Sequence, residues 1–379
     1  MRIVFLSNFL NHHQVHLADE FYKVFGQDYL FIETMPIPQW LLDSGYPHIK
    51  RPYLLKAYEN GKAETLALKL TYEVEVVIIG SAPECFVTRR IQDNKLTFRY
   101  SERWFKAKPW FLTGPRGWMY IFKNHISYRN KQLYMLCASA FTAKDVNAVG
   151  AYRNKCFKWG YFTRIDELDI NALENKTKEA YDVVRMIWCA RFIKWKHPEL
   201  PVMLASRLKQ SGYRFIIDMF GCGEELEKTK ELAKCLGVED CVNFRGNLPN
   251  DQILDEMRNH HIFLFTSDRN EGWGVVANEA MSCGCAVVGS DKIGSIPFLI
   301  EDSKNGLIFK SGNLNSLTNK VALLLDNPHM IESLSIEAYK SVSEIWSPQN
   351  AARSFLLLIE ALNTKDYSKI PMVGPCSIA

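Results

Sequence analysis

The stretch HIFLFTSDRNEGWGVVANEAMSCGCAVVGSD, residues 261–291, decides the fold. It opens with a β-rich apolar run, Ile262-Phe263-Leu264-Phe265, passes a polar turn from Ser267 to Asn270, and reaches Glu271-Gly272-Trp273-Gly274. Val275, Val276, Ala277, Ala280 and Met281 then recur at helical spacing, and a buried run, Ala286-Val287-Val288, closes the unit. Strand, glycine loop, helix and strand in that order set backbone N–H groups at a helix N-terminus, where an anion can meet them. Glu271 falls in the loop, and Glu279 is expected about two turns deeper, on the helix. Two glutamates at this spacing often arise by chance. Their place around a glycine loop is what suits them to hydroxyl recognition beside a phosphate.

The same alternation extends to both sides. Upstream, strands over 183–190, Phe215–Phe220 and 242–245 alternate with helices over 198–210 and 224–236 and with one after Pro249, and Gly237 fits a helix C-terminus. Downstream come a Gly294-Ser-Ile-Pro297 turn, a strand at Leu307–Phe309 and a helix over 314–325. The first half repeats the pattern with strands over 2–7, 29–33, 74–80, 96–100, 133–138 and 156–159. A helix over 12–24 with Asn11 as its N-cap follows the first of these strands, and residues 35–60 read as irregular. Short all-apolar strands alternating with helices predict parallel sheets covered on both faces, hence an α/β chain of two doubly wound units. The polar segment 164–182 reads as the linker. The predicted domains are 1–163 and 164–347, then a helix over 348–363 and a disordered tail over 364–379.

Composition agrees with a globular chain of two domains: 379 residues, 47% hydrophobic and 23% charged. No run approaches eighteen apolar residues, and MRIVFLSNF reads as a first strand rather than a signal peptide. A cytoplasmic location is expected. The ten cysteines form no Cys-x-x-Cys and lie mostly in apolar segments, so reduced packing thiols are expected. The net charge of +4 is uneven: residues 1–163 hold 22 Lys and Arg against 13 Asp and Glu. The excess is densest from Arg99 to Lys131, through Arg103, Lys106, Lys108, Arg116, Lys123 and Arg129, with Glu102 the one acid. Trp104, Phe105, Trp110, Phe111, Trp118, Tyr120, Phe122 and Tyr128 are interleaved. Such a stretch suits an anionic membrane surface, a phosphate-bearing acceptor or nucleic acid.

Three further motifs sit at strand ends. Arg191 and Lys196 lie just past the strand over 183–190, well placed for a diphosphate. Gly221-Cys-Gly223 follows a strand, but Leu226 stands where a dinucleotide fingerprint needs its third glycine, so a Rossmann dehydrogenase is disfavoured. Gly246-Asn247 ends another strand.

Glu271 and Glu279 in this context resemble the E-x7-E signature of retaining glycosyltransferases of family 4. Arg191 and Lys196 are similar to that family's arginine and lysine pair, and Gly221-Cys-Gly223 looks like its Gly-x-Gly turn. His197 replaces the usual glycine after the lysine, the loop through Asn11 lacks the usual glycines, and Gly294-Ser-Ile-Pro297-Phe departs from Gly-Gly-x-Pro-Glu. The match covers residues 183–325 well and the first half loosely. It implies a GT-B fold, two doubly wound Rossmann-like domains facing each other across a cleft, the first binding acceptor and the second a nucleotide sugar, with the last helix crossing back to the first.

By this resemblance Arg191, Lys196 and the backbone around Gly274 and Val275 meet the donor pyrophosphate. Glu279 accepts from ribose hydroxyls and Glu271 holds sugar hydroxyls, while Gly272, Trp273, Gly221, Gly223, Asn247 and Asn11 complete the donor site. Glu102 is the candidate base on the acceptor side. The expected activity is transfer of a hexose, with retention, from a nucleotide-diphosphate sugar to a glycan or lipid-linked acceptor in cell-surface polysaccharide biosynthesis. The chain has no Asp-x-Asp, so no divalent metal and no cofactor beyond the co-substrate is expected. Partners would be the donor, the acceptor and an anionic membrane on whose inner face the protein docks, with no nucleic acid. The rivals are a nucleotide-sugar epimerase of the same fold and a non-catalytic nucleotide- or nucleic-acid-binding protein.

Overall fold

Strands that are apolar at every position must be covered on both faces, and IVFLS at Ile3–Ser7 is buried at all five. The structure, a computed structural model, describes residues 1–43, 48–106, 114–169, 173, 176 and 182–379. It divides into Met1–Arg164 with Trp346–Ala379, and Ile165–Ile345.

In the first unit seven strands form one parallel sheet: β1 (Ile3–Ser7), β2 (Tyr29–Glu33), β3 (Leu54–Lys56), β4 (Val76–Ile79), β5 (Thr97–Ser101), β6 (Leu133–Cys137) and β7 (Cys156–Lys158). Their order is β3-β2-β1-β4-β5-β6-β7, with Ile3 in register with Tyr29 on one side and Val76 on the other. The irregular reading of 35–60 missed β3, whose three positions are all half-buried and so give no apolar run. The helix Pro348–Thr364 begins on Ser347, whose side chain accepts from Asn350 N, and drives Phe355 among Phe21, Phe98 and Trp159 at centroid distances of 5.6, 4.9 and 5.8 Å. These ring contacts hold it in the first unit.

The expected disordered tail is ordered. Cys376 N and Ala379 N donate to Lys158 O and Cys156 O at 2.7 and 3.1 Å, Lys158 N donates to Ser377 O, and Ile378 bridges Phe157 antiparallel. The tail thus occupies the edge of β7, whose unpaired N–H and C=O groups would otherwise be left to solvent.

The second unit has β8 (Val184–Cys189), β9 (Phe215–Phe220), β10 (Val242–Gly246), β11 (Ile262–Phe265), β12 (Ala286–Ser290) and β13 (Leu307–Phe309), again all parallel. Their order is β10-β9-β8-β11-β12-β13. Connections leave β8 to one side and β11 to the other, so the carboxyl ends of these two neighbours flank the crevice where doubly wound sheets bind ligands. The segment read as a linker is anchored to this unit. Leu173 is buried against Gly284, and Lys176 Nζ donates to His260 O and Gly284 O at 2.9 and 2.8 Å. One buried Leu in a polar run is too weak a signal for periodicity to show. All ten cysteines are free. No helix among the described residues is long and apolar enough to cross a membrane.

Candidate functional site

The loops after β8 and β11 are stapled together by groups that cannot be buried without partners. Trp188, buried in β8, donates its Nε1 to Thr266 Oγ1 at 2.8 Å, and Thr266 donates onward to Lys196 O at 2.7 Å. Asp268 N adds a bond to Trp195 O at 3.0 Å. Lys196 Nζ then pairs with Glu271 Oε2, the two side chains only 12% and 10% exposed. The sequence treated these residues as separate ligand contacts; the fold makes them one ion pair. Arg191 is exposed and has no side-chain partner among the described residues.

His197 adopts the left-handed conformation at φ +52°, a backbone state that histidine tolerates better than most residues. Its Nδ1 lies 2.7 Å from Glu199 and its Nε2 3.6 Å from Asp268, and the Glu199 hydrogen bond holds its pKa above the ordinary value.

Gly221 and Gly223 sit at φ +130° and +149° and press against the loop that carries Arg191. A Cβ on the first would lie 2.0 Å from Ala190 O and on the second 2.4 Å from Phe192 O. Phe192 N donates to Cys222 O at 2.8 Å and Glu225 N to Phe192 O at 2.9 Å. These glycines therefore shape the Arg191 loop by close backbone approach. Gly221→Ala or Gly223→Ala should cost about 1–3 kcal/mol or more of stability from strain alone, read as a lower Tm. An unchanged melting curve would show that the turn relaxes freely.

Gly274, at φ +84°, lets the loop fold over the end of β11, where a Cβ would meet the Phe265 ring at 2.4 Å. Trp273 is 1% exposed, with its Nε1 on Asn278 Oδ1 at 2.8 Å, so its ring is core and only its backbone is left for a ligand. The helix starts at Val276, past Gly272 and Gly274, and Glu279 falls in its first turn, shallower than the expected two turns. That places Glu279 near the N–H groups that a helix start leaves without intrahelical partners, those of Val275 and its neighbours.

Glu279 is buried, and burial pushes its pKa up to about 7 against a smaller opposing effect from Asn250. Asn250 Nδ2 donates to Glu279 Oε1 at 3.0 Å. Sequence reasoning missed Asn250: it lies far from Glu279 along the chain, and nothing in its spacing ties it there. Cys189, the last residue of β8, has its thiol pushed up to about 12 by burial, with Glu279 adding to the shift and Lys196 opposing it. Both charges thus act on one strand end. At the rim Gly221 N donates to Gly246 O at 2.7 Å, and Asn247 beside it is exposed.

In the first unit two expectations change. Asn11 does not cap the helix, which begins at Val15 with Gln14 in the cap position; its side chain accepts from His13 N at 3.0 Å instead. Phe9 N and Leu10 N are likewise taken, by Asn8 Oδ1 and Glu33 Oε1, so these three amides of the glycine-less loop are already engaged internally. Glu102 is not flanked by Arg99 and Arg103 in any bonded sense. Arg99 pairs with Glu84 at 2.7 Å and Arg103 with Asp145 at 3.4 Å, while Glu102 takes Lys106 Nζ and, at 3.1 Å, the Tyr161 hydroxyl. Arg99 lies within β5 while Glu102 and Arg103 lie past its end, so their partners differ in a way a charge count cannot see. Of the basic aromatic stretch, Lys108, Trp110 and Phe111 lie outside the described residues.

Two Rossmann-like parallel sheets with their helices give this chain a GT-B-like fold. Residues 169–341 match the family model "Glycosyl transferases group 1". HepE of Anabaena, solved in complex with UDP, superposes with a TM-score of 0.68 at 14% identity, covering 96% of this chain and all of that one. Among curated proteins, the D-inositol 3-phosphate glycosyltransferase of Corynebacterium jeikeium is 30% identical over 154 residues, 40% of this chain and 34% of that protein. The poly(glycerol-phosphate) alpha-glucosyltransferase of Bacillus subtilis is 27% identical over 157 residues, 40% of this chain and 23% of its own length. The chain thus spans about a third or less of the length of these two relatives.

Proposed function

We propose that this chain is a metal-independent, retaining glycosyltransferase that moves a hexose from a nucleotide-diphosphate sugar to a glycan or lipid-linked acceptor in cell-surface polysaccharide biosynthesis. The observation that carries the reading is the partly buried Lys196–Glu271 pair, with the exposed Arg191 and the buried Glu279 also on loops or helix turns that follow β8 and β11. As the glycosidic bond breaks, its electron pair stays on the departing phosphate oxygen, and positive charge grows at the anomeric carbon. Arg191 and Lys196, with the amides near Gly274 and Val275, stabilise the diphosphate more as that charge develops. When Lys196 turns to phosphate, the Glu271 carboxylate is released to accept from sugar hydroxyls and to balance the positive carbon. Glu279 receives the ribose hydroxyls.

HepE was solved with UDP, which makes uridine diphosphate the first head group to test. Thermal stabilisation by UDP in the presence of chelator, followed by product analysis with UDP-sugars and acceptor, tests the reading. Sugar transfer that survives chelation supports it. Isomerised donor formed without acceptor would make the protein an epimerase, and no nucleotide response would remove the donor site.

A membrane partner is favoured by the helix Pro115–Asn124. Trp118, Met119 and Phe122 are 44%, 62% and 61% exposed there, beside the exposed Arg116 and Lys123. Docking on the inner leaflet predicts flotation with liposomes that strengthens with anionic lipid, by about 1 kcal/mol per cation engaged. Flotation indifferent to lipid charge would count against it.

A further inference from the structure

The first unit holds a cavity of about 310 Å³ to which no role has been assigned above. It opens past the carboxyl ends of β4 and β5, and six of its lining residues matter here: Glu84, Arg99, Tyr100, Trp104, Tyr120 and His125. Its size falls at the small end of ligand pockets, which run from about 300 Å³ upward.

The walls are aromatic. Trp104 and Tyr120 pack on the His125 ring at 4.7 and 5.8 Å, and Tyr120 stands at the rim, 48% exposed. The polar groups are concentrated at one place. Arg99 donates two bonds to Glu84, at 2.8 and 2.7 Å, and the Tyr120 hydroxyl adds a third at 2.9 Å. Each carboxylate oxygen accepts more than one bond, so Glu84 keeps spare capacity. Arg99, 7% exposed, has its Nε buried with no hydrogen-bond partner.

The charges cancel: Arg99 and Glu84 neutralise each other. His125 is held neutral, its pKa pushed down to about 2 by burial and, less, by Arg99, and its Nδ1 bonds the Tyr152 hydroxyl at 2.8 Å. A phosphate would find no surplus positive charge and a carboxylate beside it. An alkyl chain would leave the spare acceptor capacity of Glu84 facing apolar groups. The remaining chemistry is an uncharged ring with an apolar C–H face and hydroxyls around its edge.

We propose that this cavity seats one sugar ring, stacked on Trp104 and Tyr120 with a hydroxyl donating to Glu84, which Arg99 holds in place. Resting on the transferase reading, that ring belongs to the acceptor, because Arg191, Lys196, Glu271 and Glu279, assigned to the donor's phosphates and hydroxyls, all lie in the second unit.

The test uses the full chain and methyl glycosides of common hexoses as probes, followed by saturation-transfer NMR. Ring protons of at least one glycoside should be saturated by the wild type. Tyr120→Ala, which removes an exposed wall and leaves the sheet core alone, should weaken binding about five- to tenfold, the scale of one aromatic contact. Trp104→Ala should do the same, and UDP-induced thermal stabilisation should be unchanged in both variants. Glycoside binding without any UDP response would uphold the pocket while removing the donor site. No saturation of any glycoside, equal binding by wild type and Tyr120→Ala, or displacement of the glycoside by inorganic phosphate would overturn the proposal.

Discussion

Lys196→Ala is expected to lower turnover by about 30- to 1,000-fold, the effect of removing one preorganised donor worth roughly 2–4 kcal/mol in the transition state. It should also destabilise the fold. Lys196 and Glu271 are each about nine-tenths buried and joined to each other, so removing the ammonium strands a carboxylate with little access to water. Breaking a buried pair by deleting one partner costs about 3–5 kcal/mol, and the residual exposure here puts the expected loss at or below the lower end. Glu271→Gln separates the two effects. It keeps the shape and an acceptor for Lys196 while removing the charge, so stability should fall less than in Lys196→Ala. Turnover should still drop if Glu271 balances the anomeric carbon. The double variant should be more stable than the sum of the single losses predicts, because the second deletion removes the stranded partner. Strict additivity in melting temperature would mean the two side chains are not coupled. Full turnover in Lys196→Ala would remove the phosphate role.

The second unit was legible because its signals are local. Strands such as Ile262–Phe265 are apolar at every position, and glycines punctuate the loops, so both element type and order could be read along the chain. Arg191, Lys196, Glu271 and Glu279 could be named because they stand at fixed offsets from strand ends. Their mutual arrangement could not. That Lys196 pairs with Glu271, that Asn250 reaches Glu279, and that Gly221 and Gly223 serve the Arg191 loop are facts of packing between segments far apart in sequence. The first unit was harder for the same reason. β3 has no fully buried position, and Arg99, read as a neighbour of Glu102, finds its carboxylate on Glu84. The tail over 364–379 reads as disordered, yet it supplies edge pairing for β7 that only the finished sheet reveals. Charge density showed the same limit. Eight cations within a stretch suggested a basic face, but Arg99, Arg103 and Lys106 are each held by an acid, while Arg116 and Lys123 are exposed on the helix Pro115–Asn124.

Nucleotide affinity should rise with pH up to about 7 and level off above it, and Glu279 is the cause. Its carboxyl is held at about 7 by burial, well above the ordinary value, so below neutrality the free protein carries it mostly protonated. A folded-state pKa above the unfolded one means that the proton is bound more tightly in the fold. By this group alone stability is greatest below the unfolded value and declines as pH rises toward 7, with no further change above. Ligand binding runs the other way. Ribose hydroxyls donating to Glu279 favour the carboxylate and lower its pKa in the complex, so binding below pH 7 must expel a proton. Affinity for UDP should therefore weaken by up to about tenfold per pH unit from 7 down toward the pKa in the complex. Calorimetry in buffers of different ionisation enthalpy should register the released proton. The diphosphate titrates in the same range, so the comparison that decides is with Glu279→Gln, which keeps an acceptor for Asn250 and the shape of the site but has no proton to lose. The variant should bind less tightly at pH 8 and show a shallower slope below 7, the difference between the two slopes being the contribution of this carboxyl. Superimposable pH profiles for the two proteins would mean that Glu279 does not ionise on binding and that the ribose hydroxyls are recognised elsewhere.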